Sequence, residues 1–155
     1  MSQIEQRLKQ LGIELPNASA PAANYVPYVV TGNLVFISGQ LCLWNGERRY
    51  PGKVGAEVSV EEAIEAARLC GLNLIAWLKE AAGGDLDRVA RVVKLGGFVN
   101  SVASFSDQPK VINGCSNLMV DVFGDKGRHA RAAVGVNVLP FNLAVEVEGV
   151  FELHA

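Results

Sequence analysis

The 155-residue sequence has few of the residues from which metal centres and disulfide frameworks are built. It contains two histidines, His129 and His154, and three cysteines, Cys42, Cys70 and Cys115. The cysteines are odd in number and show no CxxC or mixed Cys/His spacing, so we expect neither a disulfide framework nor a metal site. Free thiols are typical of a reduced compartment, which favours the cytoplasm.

Long apolar runs and strongly basic clusters are also missing. No stretch approaches the length of a membrane span, and the first twelve residues carry charges throughout, without the apolar core of a signal peptide. The net charge is −2, the isoelectric point is about 5.7, and the densest basic segment, 126–131, is short. We therefore expect no membrane partner, and nucleic-acid binding is disfavoured because a phosphate backbone requires a positive surface.

Common catalytic motifs are absent as well. The sequence has no P-loop, no GxGxxG and no GxSxG segment. A Ser-His-Asp or Cys-His arrangement would have to use His129 or His154, and neither lies in a pattern typical of such enzymes. Covalent catalysis is therefore disfavoured.

The spacing of apolar residues predicts three helices. The longest starts at Ser59, whose S-x-x-E spacing to Glu62 is that of a capping box, and it ends at the glycine pair 83–84. Cys70 and Cys115 lie on apolar helix stripes and are predicted core residues, whereas the place of Cys42 stays open. The three predicted helices cover residues 2–11, 59–82 and about 109–123.

The strand pattern predicts one α+β domain over residues 1–155, of which 1–20 are a helical extension and connection. Strands are expected in two pieces over 28–40, at 89–99, and in a hairpin of 132–138 with 144–153 closed around 140–142. The apolar run 34–37 is typical of a strand covered on both faces, and Gly96–Gly97 indicate a bulge or a close backbone approach. The result is a mixed sheet of about six strands with both main helices on one face, and an oligomer would cover the open face.

The last third of the chain carries the most specific pattern. Residues 130–149 read ARAAVGVNVLPFNLAVEVEG, in which an arginine enters a strand, Leu-Pro makes a turn, and apolar residues then alternate with glutamates. This resembles the C-terminal signature of the RidA/YjgF family of reactive-intermediate deaminases, also called the endoribonuclease L-PSP family. The resemblance extends from about Pro21 to Glu152, with shorter matches at 21–23 with 27–28, 38–40, 81–84 with Leu86, and Asn113.

The resemblance implies a chorismate-mutase-like fold, a homotrimer with clefts between subunits, and hydrolysis of reactive 2-imino acids to 2-keto acids and ammonia. Arg131 falls at the family's carboxylate-binding arginine. Ala133 is a departure, since the family often has cysteine there. The segment 121–129 and the N-terminal helix also differ from shorter members, which points to a longer subgroup with its own substrate range. The remaining positions that match the family's site residues are Tyr28, Ser38, Gly39, Asn113 and Glu146.

The chemistry of an imino acid fits these residue types. The planar fork of arginine binds a carboxylate bidentately, which fixes both position and charge. A protonated imine is readily attacked by water, and Glu146 is expected to orient that water as a general base. Tyr28, Ser38 or Asn113 can hydrogen-bond the imine nitrogen. No metal or organic cofactor is needed, and the expected partner is a small imino or keto acid.

The predicted hairpin separates the two residues with catalytic roles. If the two arms pair around 140–142, Glu146 lies opposite about residue 136. Arg131 is five residues from that position, so the two residues are ~16 Å apart along the strands. We therefore expect Arg131 and Glu146 to serve one site only if they come from different subunits.

Plainer interpretations stay open. Arg131 can be a strand-end arginine in a surface ion pair, Glu146 can be solvated on a face shared with Glu148 and Glu152, and His129 can be an ordinary loop histidine. At the level of function, one alternative is non-catalytic binding of 2-keto or other small carboxylic acids in the same cleft. Another is cleavage of single-stranded RNA, which the acidic balance disfavours.

Overall fold

The three predicted helices are confirmed by the computed structural model, which describes residues 2–18 and 24–155. The match predicted at 21–23 lies outside the described residues. No helix in the described part of the chain is long and apolar enough to cross a membrane. The helices are α1 (Gln3–Gln10), α2 (Val60–Ala81) and α3 (Gln108–Phe123).

Helix α2 begins and ends where its sequence signals lie. The Ser59 hydroxyl accepts the Glu62 backbone N–H at 3.1 Å, and the Glu62 carboxylate accepts the Ser59 N–H at 3.0 Å. The two bonds form the predicted capping box and satisfy N–H groups that have no partner within the helix. Gly83 and Gly84 follow the helix with φ of +69° and +92°, a conformation that glycine adopts without steric cost.

Seven strands are present in the described residues. Five of them form one mixed sheet in the order β1-β2-β7-β5-β6, in which only the β5–β6 pair is parallel, and β3 pairs with β4 in a small separate hairpin. The strands are β1 (Tyr28–Thr31), β2 (Leu34–Leu41), β3 (Leu43–Trp44), β4 (Glu47–Arg48), β5 (Val89–Asn100), β6 (Ala130–Val136) and β7 (Val145–Leu153).

The predicted hairpin of 132–138 with 144–153 is wrong. Strand β6 pairs with β5, because α3 forms a crossover that returns the chain parallel to β5. Strand β7 lies between β2 and β5 instead. The turn around 140–142 carries the chain past the end of β5, with Phe141 and Asn142 at φ of +58° and +55°. Alternate residues of β7 are buried because one face of this central strand packs against α2.

The two faces of the sheet differ in character. One face packs against α2 and α3, whereas the other carries Phe36 and Val134, with exposed fractions of 44% and 46%, beside the glutamates of β7. The prediction that the run 34–37 is covered on both faces is therefore wrong for the single chain, because Phe36 points to the open face. Fully buried side chains on the helix-covered face include Val35, Leu95, Val99, Val147 and Phe151.

Two glycines let α3 approach its neighbours closely. A Cβ at Gly114 would lie 2.0 Å from the backbone carbonyl oxygen of Ile64 in α2, and one at Gly97 in β5 would lie 2.6 Å from the Ile112 side chain. Of the two alternatives predicted at Gly96–Gly97, the close approach is the one present, because the Ile112 side chain lies against the Gly97 backbone and the register shifts of β5 lie earlier, between Val89 and Lys94. These contacts fix where α3 lies over β5 and β6, next to the start of β6 that carries Arg131.

Candidate active site

Arg131 lies near the start of the edge strand β6, on the face covered by helices. Its Nη1 donates to the amide oxygen of Asn113 at 2.7 Å and to the hydroxyl of Ser116 at 3.2 Å. Asn113 and Ser116 are three residues apart on α3, so they occupy the same side of that helix. The structure therefore places together two predicted site residues, Arg131 and Asn113, with the hydroxyl of Ser116, which no sequence pattern indicates.

The guanidinium of Arg131 is held by neutral groups. The ion pairs among the described residues are Arg49–Glu47, Lys79–Glu5 and Arg128–Asp125, and none involves Arg131. The plainer interpretation of Arg131 as part of a surface ion pair is therefore not what this chain shows. The side chain is partly exposed, so its charge can meet an incoming anion.

His129 completes the group around Arg131. Its Nδ1 lies 2.6 Å from the carbonyl oxygen of Gly127, and its Nε2 lies 2.9 Å from the hydroxyl oxygen of Ser116. No spacing in the sequence indicates this contact, because Ser116 belongs to α3 and His129 to the loop that follows it. The residues lining an open depression of about 290 Å³ at this place are Ser116, Asn117, Val120, Arg128, His129 and Arg131.

Glu146 lies at the start of β7 on the open face of the sheet. Its carboxylate covers the backbone of Gly39, where a Cβ would come within 2.8 Å of Oε1. Gly39 belongs to a register shift in β2 between Ile37 and Gln40, and a larger residue there would push the Glu146 side chain out of this position. Burial raises the pKa of the Glu146 carboxyl above its ordinary value, and the negative charge of Glu148 raises it further.

Ser38 and Tyr28 lie at the β1–β2 edge of the sheet. The Ser38 hydroxyl donates to the carbonyl oxygen of Val26 at 2.8 Å. Tyr28 faces α2, where its ring centroid lies 6.1 Å from that of Trp77. Burial raises the pKa of the Tyr28 hydroxyl, and the nearby carboxylate of Glu80 adds to the increase by charge and by hydrogen bonding.

Within one chain the predicted residues do not form one site. Arg131 and Asn113 lie together on the helix-covered face, Glu146 lies against Gly39 on the open face, and Tyr28 faces α2 at the other edge of the sheet. Arg131 is in register with Leu95, a core residue, whereas Glu146 is in register with Phe98 and neighbours the core residue Val147. Two strand spacings and three residues separate their backbones by roughly 14 Å. The predicted separation of Arg131 and Glu146 rested on a hairpin that does not exist. The two residues are nevertheless apart within one chain, because β5 lies between their strands.

The three cysteines are core residues rather than site residues. All three are fully buried, which settles the position left open for Cys42. A hydrogen bond with Cys70 lowers the pKa of the Cys42 thiol to about 7, although burial acts in the opposite direction, and burial raises the pKa of Cys115 to about 12. Among the described residues, no cluster of histidine, cysteine and carboxylate side chains could hold a metal ion.

Comparison with known proteins places the chain in a family. Residues 5–153 match the family model described as "YjgF/chorismate_mutase-like, putative endoribonuclease". The chain belongs to this YjgF family, as its C-terminal signature predicted, and the α+β fold is that of the family.

The relatives of this chain include a protein of similar sequence and several solved structures. Protein TCP17 of Trypanosoma cruzi is 50% identical over 97% of this chain and 94% of its own length. The crystal structure of protein Atu1372 from Agrobacterium tumefaciens is also 50% identical, covers 97% of this chain and 92% of that one, and has a TM-score of 0.91. RidA from the Antarctic bacterium Psychrobacter sp. PAMC 21119 is 28% identical, covers 90% and 97%, and has a TM-score of 0.62.

Proposed function

We propose that this protein hydrolyses 2-imino acids to 2-keto acids and ammonia, with the substrate carboxylate bound to Arg131. The observation that supports the proposal is the exposure and the hydrogen bonding of the Arg131 guanidinium. It is partly exposed, it is held in place by the neutral groups of Asn113 and Ser116, and it has no carboxylate partner among the described residues. Such a planar donor group is suited to a bidentate contact with a small acid.

The second part of the proposed site is Glu146 with the neighbouring β1–β2 residues of another subunit. A carboxyl with a raised pKa exchanges protons more readily near neutral pH than an ordinary one. The open face on which Glu146 lies also carries the exposed apolar residues Phe36 and Val134, which a homotrimer would cover. In that assembly Gly39, Ser38 and Tyr28 would line the cleft opposite Arg131.

The reaction needs only water as co-reactant. Glu146 takes a proton from water, whose oxygen bonds to the imine carbon, and passes this proton to the imine nitrogen. The intermediate then carries a hydroxyl and an amino group on one carbon. Glu146 moves the hydroxyl proton to the amino nitrogen, the carbon–nitrogen bond breaks as the carbonyl forms, and ammonia leaves the 2-keto acid. Arg131 holds the carboxylate throughout, so its contribution lies in positioning and in the charge next to the reacting carbon.

The test uses 2-iminopropanoate and 2-iminobutanoate generated freshly in the assay, with formation of the 2-keto acid as the readout. We expect Arg131→Ala to abolish the acceleration and Arg131→Lys to lower kcat/KM about 10- to 100-fold, because lysine keeps the charge but loses the two-pronged contact. Arg49→Ala, which removes an exposed arginine that is paired with Glu47 and does not line the depression at Arg131, should retain full activity.

Two results would contradict the proposal. The first is wild-type protein that binds a 2-keto acid but does not accelerate hydrolysis, which would support the non-catalytic alternative. The second is an Arg131→Ala variant, folded by circular dichroism, that retains the wild-type rate.

A further inference from the structure

Ser116 and His129 form a hydrogen-bonded pair directly beside Arg131. A carbonyl oxygen only accepts hydrogen bonds, so the 2.6 Å contact with Gly127 places the proton of a neutral His129 ring on Nδ1. Nε2 is then an acceptor, and the Ser116 hydroxyl donates its proton to it at 2.9 Å. The order of groups is therefore hydroxyl, imidazole and an orienting carbonyl oxygen.

A hydroxyl, an imidazole and an orienting acceptor in this order can remove the serine proton and so activate the serine as a nucleophile. A nucleophile within hydrogen-bond reach of a base, with that base oriented by a third group, is the geometric signature of nucleophilic catalysis. Serine and histidine contacts of this type recur on unrelated folds and are recognised by geometry rather than by sequence position. In this protein the third group is the backbone carbonyl of Gly127, which holds the ring in the tautomer that can take a proton from Ser116.

The surroundings suit a serine that becomes an alkoxide. Arg131 Nη1 donates to the same Ser116 oxygen at 3.2 Å, so a positive charge faces the developing negative charge. The depression lined by Ser116 and His129 also contains Arg128 and no acidic residue. Ser116 and His129 are partly exposed, and the depression is open to small molecules.

We propose that Ser116 is a nucleophile and His129 its general base, in a hydrolytic activity that goes beyond imine deamination. The substrate class is an ester or similarly activated acyl group of a small dicarboxylic acid. Its free carboxylate would bind the remaining N–H groups of Arg131, and its acyl carbon would face Ser116. A monoester has both groups within a few bonds, which matches the short distance between Arg131 and Ser116.

The steps balance with water as the second substrate. The Ser116 oxygen bonds to the acyl carbon while its proton passes to Nε2 of His129. The bond to the leaving alcohol breaks, and that alcohol takes the proton from Nε2. Water then attacks the acyl-serine and gives a proton to Nε2, and the released Ser116 oxygen takes this proton back.

The first test is covalent labelling with a fluorophosphonate, followed by peptide mass spectrometry of the intact wild-type protein. The probe loses fluoride when the serine oxygen attacks phosphorus, so labelling reports an activated serine without any imine chemistry. We expect one adduct, on Ser116, and a labelling rate about 100-fold lower in His129→Ala because the base is lost. Ser106→Ala and His154→Ala, which change an exposed serine and the second histidine, should label like wild type.

The second test compares two p-nitrophenyl esters, the monoester of succinic acid and the neutral acetate. We expect faster turnover of the anionic ester, and loss of that preference in Arg131→Ala. Ser116→Cys keeps a nucleophile and should retain acylation, whereas Ser116→Ala should not.

The outcomes separate this proposal from the deaminase. Absence of an adduct on Ser116 of the wild-type protein, or labelling of His129→Ala at the wild-type rate, would overturn the nucleophile even if imines are hydrolysed. An adduct on Ser116 in a protein that does not deaminate would overturn the proposed function and leave the nucleophile standing.

Discussion

At the scale of single residues, the position of Arg131 depends on one side of α3. Asn113 offers its amide oxygen and Ser116 its hydroxyl oxygen to the same guanidinium nitrogen. Hydrogen bonds to a charged group are stronger than those between neutral groups, so the arginine is oriented before a ligand arrives. Because both partners are neutral, its charge stays available for the anionic substrate that we propose.

Glu146 provides a prediction about pH and stability. The unfolded chain loses the proton of an ordinary glutamate near pH ~4.3, whereas the folded protein retains it to higher pH because burial raises the pKa. The folded state therefore binds more protons over that interval, and the free energy of unfolding falls as pH rises through the raised pKa. Glu146→Gln, which resembles the protonated form, should have a higher free energy of unfolding than wild type at pH 7.

Urea unfolding as a function of pH measures this effect. The advantage of Glu146→Gln should shrink toward zero below about pH 4, where wild-type Glu146 is protonated in both states. In a Glu148→Gln background the advantage should be smaller, because one cause of the raised pKa has been removed. A Glu146→Gln advantage that stays constant from pH 4 to pH 7 would contradict the explanation.

Individual site residues differed in how well the sequence could predict them. Arg131 and Asn113 match family positions in the sequence, and the structure brings them into contact. The contact between Ser116 and His129 could not be predicted, because it depends on how the loop after α3 folds back against the helix. Spacing of 13 residues between a helix and a loop carries no periodic signal.

At the scale of secondary-structure elements, the position of α3 depends on close packing against α2. Gly114→Ala would place a methyl group 2.0 Å from the Ile64 carbonyl oxygen, and backbone cannot move aside as a side chain can. We expect a loss of about 3 kcal/mol in the free energy of unfolding, and a lower affinity for 2-keto acids because Asn113 and Ser116 move with the helix. Lys110→Ala, on the exposed side of α3, should change stability by less than about 0.5 kcal/mol.

Chemical denaturation and titration with a 2-keto acid check both parts of this prediction. If Gly114→Ala is as stable as Lys110→Ala, the close packing of α2 and α3 does not determine the fold as described.

The helices were more predictable than the strand partners. The capping box at Ser59 and the glycines at its other end specify α2 locally. The alternation in β7 specified which side of the strand is buried, but alternation does not identify the neighbouring strands. The pattern therefore predicts a hairpin between β6 and β7, whereas in the structure β7 pairs with β2 on one edge and with β5 on the other.

At the scale of the whole molecule, the open face of the sheet exposes apolar side chains that a second subunit could cover. Phe36 and Val134 are nearly half exposed on a face that also carries the partly buried Glu146. We predict that the protein is a homotrimer, with about three times the 16.5 kDa mass of one chain. Val134→Asp should reduce the mass measured by light scattering to that of a monomer, because the face would lose apolar contacts and gain a buried charge.

The matched control is Gln10→Asp, which adds the same charge on the exposed side of α1. It should remain a trimer. A wild-type protein that is monomeric at micromolar concentration would contradict both the assembly and the shared cleft.

The most direct measurement of the central claim, a cleft shared between subunits, is activity in mixed trimers of Arg131→Ala and Glu146→Gln. Each variant alone lacks one half of every cleft. In trimers assembled at random from equal amounts, a cleft is complete when a Glu146→Gln subunit supplies Arg131 and an Arg131→Ala neighbour supplies Glu146, so about a quarter of wild-type activity is expected. Imine hydrolysis no greater than the sum of the two separate variants would show that Arg131 and Glu146 do not act together across a subunit boundary.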